Sequence, residues 1–350
     1  MVLVRLDLAN FRNFKENSFS FSPNTTLILG PNTSGKTNIL EAIYLLATGH
    51  SFRAEVEREM IRYGKEMSNV KCSAEGGSNR ETLEIILTTG EVMRAKTAKK
   101  FYKVNGVGKR MVDFVGLVRS VLFWPEDLNL VTNSPSLRRK YLDLTLSQVD
   151  REYRRSLLSY EKGLRQRNKL LEKIRDEGAS RSQLLFWDQL LVKNGGLLTD
   201  KRIEFIEFVN NLHLSTLNLQ FKLGYDKSVI SADRLEQYAQ EEVAVGATLV
   251  GPHRDDFKFL LDLRDLSCFG SRGEQRLAVL WLKLCELEFI SQKTGERPIL
   301  LLDDIFSELD HEHRKHVLEL IPQQQTIITT TDLHLVEKGY QEKAKVIELG

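Results

Sequence analysis

Much that would place this chain in a familiar class is missing. Its 350 residues hold only three cysteines, Cys72, Cys268 and Cys285. They are scattered, with neither metal-ligand spacing nor a disulfide framework, which points to a reducing compartment. No apolar run approaches the roughly 20 residues needed to span a bilayer. The opening Met1-Val-Leu-Val-Arg-Leu-Asp-Leu alternates like a strand, where a signal peptide would carry an unbroken apolar stretch. A soluble cytoplasmic protein is expected, and a membrane role would need a partner chain. The formal net charge is only +2. No global field therefore draws the chain to nucleic acid, and a DNA-binding face must be a local patch offset by acids elsewhere. There is no fixed-period repeat, no low-complexity tract and no sustained heptad run of the kind a coiled-coil arm requires. What is present, 41% hydrophobic and 28% charged residues, is ordinary for a globular protein, and long enough for one large core or a large domain with a smaller one attached.

Three zones follow one another along the chain. Residues 1–120 mix short β-like runs with one strong strand–loop–helix, residues 121–244 are mainly helical, and residues 245–350 return to alternating strands and helices. Helix is expected from near Ser136. Between Asp150 and Arg175 the residues Leu157, Leu164, Leu171 and Ile174 fall at helical spacing. The polar stretch from Asp176 to Ser182 breaks the pattern, and further helices are expected at Leu184–Val192 and Leu197–Leu212, separated by Asn194-Gly195-Gly196.

Chemistry concentrates in a few motifs. Gly30-Pro31-Asn32-Thr33-Ser34-Gly35-Lys36-Thr37 satisfies G-x-x-x-x-G-K-[ST], the phosphate-binding P-loop. Thr26–Leu29 before it reads as a buried strand. Asn38 onward reads as a helix with Ile39, Leu40, Ile43 and Leu46 on one face. The loop N–H groups and helix N-terminus suit phosphates. Lys36 would pair with β/γ-phosphate oxygens and the Thr37 hydroxyl would ligate Mg²⁺. Pro298-Ile-Leu-Leu-Leu-Asp303-Asp304 reads as a buried parallel strand delivering two acids to its C-terminal edge. Asp303 is the candidate Mg²⁺ ligand, and Asp304 would orient or deprotonate an attacking water; an acid pair capping the next helix is the plainer alternative. Ser271-Arg272-Gly273-Glu274-Gln275 opens a helix with Leu277, Leu280, Trp281 and Leu284 on one face. It reads both as a capping box and as an ABC-type signature, whose helix N-terminus meets the γ-phosphate held by another subunit. Asp310 stands either in a loop along that dimer seam or as the N-cap of the next helix. The order P-loop, signature, acid pair separates the chain from P-loop kinases and GTPases. It predicts an α/β fold: an ABC-type P-loop ATPase domain of mixed sheets with flanking helices, formed by 1–120 and 245–350, with an inserted, mainly helical lobe at 121–244.

Over essentially its whole length the chain resembles the RecF family of bacterial DNA replication and repair proteins, in the ABC/SMC superfamily. The resemblance is carried by Leu8-Ala-Asn-Phe11-Arg12-Asn13-Phe14, by the P-loop continuing into Gly49-His-Ser-Phe-Arg53, by Pro125-Glu126-Asp127 with Ser134-Pro135 and Arg138-Arg139-Lys140-Tyr141-Leu142-Asp143, by Gly251-Pro-His-Arg254-Asp255-Asp256, and by Asp303-Asp304-Ile-Phe-Ser-Glu-Leu-Asp310. It implies an ATP- and Mg²⁺-dependent homodimer on double-stranded DNA at gaps or junctions with single strands. It also implies RecR-like and RecO-like mediator partners, help in loading the recombinase, and weak DNA-stimulated ATP hydrolysis acting as a switch. Gly30 to Asn38 and Arg12 are then the ATP residues. The alternative is the ATPase subunit of a non-DNA complex such as a transporter. The chain departs from the family at Thr33, where glycine is usual and where a β-branched residue would weaken binding if the loop needs unusual backbone geometry. It departs also at Asn133, likewise a usual glycine. Ile327-Ile328-Thr329-Thr330-Thr331-Asp332 stands where transporters carry a switch histidine, so a threonine would take that place and hydrolysis would be slow. The basic residues Arg151, Arg154, Arg155, Lys162, Arg165, Arg167 and Lys169 read either as a DNA-phosphate face or as a solvated helix face with interleaved acids. Arg138, Arg139 and Lys140 read equally as docking residues or dimer contacts.

Overall fold

In the computed structural model all residues are described except 77–78, 215–219, 306–320, 333 and 335–337. The chain forms two compact units, Met1–Asp127 with Lys283–Gly350, and Leu128–Leu282. The first holds two sheets. One is six-stranded and antiparallel, in the order β2 (Phe14–Ser20), β1 (Val2–Phe11), β4 (Met67–Gly76), β5 (Asn79–Thr88), β8 (Lys100–Val104), β9 (Val107–Lys109). The other runs β10 (Ser120–Phe123), β14 (Ile299–Asp303), β15 (Thr326–Thr330), β3 (Thr25–Leu29), β16 (Lys345–Glu348), and every pair in it is parallel. A short hairpin, β6 (Glu91–Val92) and β7 (Ala95–Lys96), and a single turn of helix, α2 (Met111–Phe114), complete this unit's labelled elements.

Helix α1 (Lys36–Thr48) packs on both sheets. Its expected face, Ile39, Leu40, Ile43 and Leu46, is fully buried with Leu6 and Val70 from one sheet and Ile28, Leu301 and Ile327 from the other. The inner strands β14, β15 and β3 are buried along almost their whole length, β14 as a continuous apolar run, because both of their faces are covered, whereas edge strand β16 is largely exposed.

The second unit contains α3 (Asn129–Thr132), α4 (Pro135–Val149), α5 (Arg151–Glu177), α6 (Leu185–Asn211), α7 (Ala232–Gln237), α8 (Ala239–Val245), α9 (Leu266–Phe269) and a small antiparallel sheet of β11 (Phe221–Asp226), β12 (Asp256–Leu261) and β13 (Arg264–Asp265). Helix α10 (Arg272–Thr294) starts in this unit and passes into the first. The unit boundaries therefore differ from a division at 244/245. Residues beyond 245 stay with the helices because β12 pairs with β11 along its whole length, and because charges from 251–256 are neutralised inside this unit. Arg202, 2% exposed at its side chain, reaches Asp255 and Asp143 at 2.8 Å each and the Pro252 carbonyl at 2.7 Å.

Two further expectations are corrected. Gly195-Gly196 does not interrupt a helix: α6 runs unbroken for 27 residues. Gly195 is buried where α5 crosses, and a Cβ there would sit 2.6 Å from Ile230 and 2.9 Å from Tyr160. On α5, Gly163 meets Leu190 in the same way, at 2.5 Å. The glycines serve close approach rather than chain reversal. The basic stretch is not a uniform solvent face either. Arg154 and Arg167 point inward, and Arg167 is held by Asp188 at 2.6 Å and Glu242 at 2.7 Å. Arg138 is buried with all three guanidinium nitrogens committed, Nε and Nη2 to Asp256 at 2.6 and 3.0 Å and Nη1 to the Leu130 and Asn133 carbonyls at 3.1 and 2.7 Å, so it is unavailable for docking.

Candidate nucleotide site

At the C-terminal edge of the parallel sheet β3 ends in the P-loop, β14 ends in the acid pair, and β15 lies between them. Crevices at this edge are where open α/β sheets bind ligands. A cavity of about 210 Å³ opens there, lined by Asn32, Thr33, Gly35, Lys36, Thr37, Asn38, Arg53, Asp303 and Asp304. Most of the expected phosphate and metal residues thus share one wall.

Local geometry explains the residue types. Gly35 caps α1 with φ 106°; a Cβ there would collide with Asn13 at 2.7 Å and Phe14 at 2.8 Å. Gly30 lies against the Leu349 carbonyl, 2.7 Å from where a Cβ would stand. Thr33 has φ 72°, the left-handed geometry that its departure from glycine put in question. Lys36 folds back on the loop, donating to the Gly30 carbonyl at 2.7 Å and the Pro31 carbonyl at 3.0 Å. Burial lowers its pKa, and Asp304 and Asp303 work against that shift.

Across the cavity Thr37 Oγ1 donates to Asp303 Oδ1 at 3.0 Å, and Thr329 Oγ1 donates to the same oxygen at 2.7 Å. Burial raises the Asp303 pKa against these two hydrogen bonds. A buried carboxylate beside a hydroxyl is the hard oxygen donor set that a small divalent cation prefers. Asp304 takes left-handed geometry, φ 50°, and its N–H donates to Thr329 Oγ1 at 3.0 Å. Of the threonines in the stretch that lacks a switch histidine, Thr329 is therefore the one that touches both acids.

Arg12 does not line the cavity. Its guanidinium grips Glu41 at 2.8 and 2.6 Å and the Glu59 carbonyl at 2.6 Å. Glu41 is fully buried on α1; burial would raise its pKa, but Arg12, Arg53 and Ser51 outweigh that and hold it below the usual range. Arg53 bridges Glu41 at 2.7 Å and Asn38 at 2.5 Å while facing the cavity. The sequence carried Arg53 only as part of the Gly49–Arg53 wording, because no local motif marks an arginine that reaches back to a helix 12 residues earlier.

The signature segment belongs to the other unit. Its capping box forms as expected: the Ser271 N–H donates to Glu274 at 2.7 Å, and the Glu274 N–H donates to Ser271 Oγ at 3.2 Å. Arg264 pairs with Glu274 at 3.1 Å, and buried Gln275 donates to the Leu266 carbonyl at 2.8 Å. Ser271, Arg272 and Gly273 remain exposed. Asp310 lies outside the described residues.

Comparison with known proteins agrees with this geometry. The family model described as RecF/RecN/SMC N terminal domain matches residues 2–348. "DNA replication and repair protein RecF" of Herpetosiphon aurantiacus is 40% identical over 365 residues, covering 95% of this chain and 94% of that protein. Its counterpart in Lachnoclostridium phytofermentans is 37% identical over 343 residues, covering 95% and 93%. Among solved structures, that of "the recombination mediator protein RecF-ATP in RecFOR pathway" has a TM-score of 0.87 at 34% identity, covering 96% of this chain and 93% of that one. An Smc head domain from Pyrococcus furiosus, at 16% identity and TM-score 0.53, shares the fold.

Proposed function

The chain belongs to the RecF family of DNA replication and repair proteins, and on that footing we propose that it is an ATP-dependent DNA-binding protein of recombinational repair and replication-gap processing. ATP binding at the P-loop closes a homodimer on double-stranded DNA. Slow hydrolysis reopens it, and the cycle helps load the recombinase at gaps beside RecR-like and RecO-like mediators. The loop N–H groups and Lys36 hold the phosphates. Thr37 and Asp303 would hold Mg²⁺, whose charge, when bound, offsets that of the phosphates. Asp304 orients or deprotonates the attacking water, and Ser271 to Gln275 complete the site from a second copy.

The observation that carries this reading is the shared cavity: P-loop, Lys36, Thr37 and both acids line one space of nucleotide-phosphate dimensions. The same chain offers a separately capped signature helix whose first residues, Ser271 to Gly273, are exposed. A transporter ATPase receives no support from the comparisons, and no helix among the described residues is long and apolar enough to cross a membrane.

Light scattering tests the reading. With Asp304→Asn to slow hydrolysis, ATP with Mg²⁺ should convert monomer to dimer, whereas ADP should not. Lys36→Ala should stay monomeric throughout. A monomer at saturating ATP would overturn the proposal.

A further inference from the structure

Between Met93 and Arg110 the sequence holds seven basic residues, Arg94, Lys96, Lys99, Lys100, Lys103, Lys109 and Arg110, and no acid. The whole chain totals only +2, so the remainder is net acidic. The fold gathers this stretch at one margin of the antiparallel sheet, in the β6–β7 hairpin and the outermost strands β8 and β9.

Three of the seven are neutralised there. Lys100 meets Glu57 at 3.4 Å, Lys103 faces Glu84 at 3.8 Å, and Arg110 pairs with Asp113 at 2.9 Å. Arg94, Lys96, Lys99 and Lys109 are exposed and form no salt bridge with a described residue. The backbone that carries them is fixed, and Lys99 is held at its stem. The Lys99 stem passes over Gly90, 3.6 Å from where a Cβ would be, at the hairpin base, where the Thr97 N–H donates to the Gly90 carbonyl at 3.0 Å. Lys109 lies opposite Tyr102, about 10 Å along the strand from Lys99 at 3.3 Å per residue. Met93 and Arg94 turn the hairpin with φ 50° and 66°, left-handed geometry at two non-glycine positions, which a sequence under no constraint avoids.

Protection of a sheet edge explains Lys109, because lysines blunt unpaired strands; it does not explain the hairpin charges. Solubility does not require such an imbalance: on α5 the exposed Arg151, Arg155, Lys162 and Lys169 are interleaved with Glu152, Glu161 and Glu172, whereas the sheet margin sets its basic residues against Glu91, opposite Lys96, and Glu66, at the Met93 N–H, and stays in positive excess. Such an excess is what a polyanion demands. Resting on the DNA reading above, we propose that this margin, through Arg94, Lys96, Lys99 and Lys109, is the surface that contacts the phosphate backbone of duplex DNA, without reading its sequence.

The test is fluorescence anisotropy with a labelled random-sequence duplex, with ATP and Mg²⁺, across a salt series. Full-length wild type is compared with the triple variant Lys96→Gln/Lys99→Gln/Lys109→Gln and with Arg151→Gln/Arg155→Gln. Each lost phosphate contact lowers the slope of log K against log salt by about 0.9, or about eight-fold in affinity at 0.1 M salt. The triple variant should lose roughly 500-fold and about 2.7 of slope for each protomer whose margin touches the duplex, with ATP affinity and thermal unfolding unchanged. The α5 pair should behave as wild type. A triple variant that binds like wild type, or a loss carried by the α5 pair instead, overturns this assignment and leaves the DNA reading standing. A wild type that ignores duplex at low salt overturns both.

Discussion

Thr33 offers a clean perturbation because its side chain is exposed, so replacing it alters backbone energetics and little packing. At φ 72° an L-residue is disfavoured by about 1–2 kcal/mol, and β-branching adds to the crowding. Thr33→Gly removes that strain but returns about 0.5–1 kcal/mol of unfolded-chain entropy, leaving a net gain of about 0.5–1 kcal/mol. Thr33→Asn, tolerant of this geometry with less added freedom, should gain about 1 kcal/mol. Thr33→Ala keeps the Cβ and should stay within about 0.5 kcal/mol of wild type. Urea unfolding followed by fluorescence should therefore rank Asn and Gly above Ala and Thr. ATP affinity should rise in the same order, by at most about five-fold for 1 kcal/mol, because a relaxed loop populates the phosphate cradle more fully. Equal stability across the four proteins would refute the strain argument. A gain for Ala as large as for Gly would trace the effect to the branched side chain instead of the backbone.

Two other outcomes follow from the same structure. Thr329→Val removes the hydroxyl shared by Asp303 and the Asp304 N–H; a loss of about 1–3 kcal/mol and a fall in ATP turnover are expected, by denaturant melts and phosphate release, and wild-type values for both would show the hydroxyl to be idle. Burial lowers the His253 pKa from the ordinary imidazole value of 6.5 to about 4, so between those values the unfolded chain binds the extra proton and stability falls as pH drops. From pH 6.5 to 5 the loss is up to about 2 kcal/mol. It should shrink in His253→Gln, and parallel pH profiles for the two proteins would remove His253 from the account.

What the sequence made legible was whatever its chemistry writes locally. A P-loop is eight consecutive residues whose roles belong to one turn, and the acid pair ends a strand recognisable from its own apolar run. Even the oddity at Thr33 was visible, because a single backbone position carries it. Pairing over long separations was hidden. Nothing near Arg138 announces Asp256, 118 residues away, so a basic run looked like docking surface. Nothing near Gly195 announces Tyr160 and Ile230, so a helix interior read as a break. The basic margin at 94–110 lacks a helical or strand period of its own and shows its meaning only after three acids from elsewhere have taken their shares.

The buried network around Arg202 has a consequence for anyone dividing this protein. A fragment ended at residue 244 would keep Arg202, Asp143 and Tyr153 and lose Asp255, the carboxylate that also accepts hydrogen bonds from Tyr225 and the Ser228 N–H. Its buried Arg202 would keep Asp143 and lose the second of its two carboxylates, and breaking a buried pair in this way costs up to about 3–5 kcal/mol. Excision at 128–282 keeps all of these partners together. Limited proteolysis of the intact chain should respect the same logic, sparing 246–255 even though it is the connection between α8 and β12.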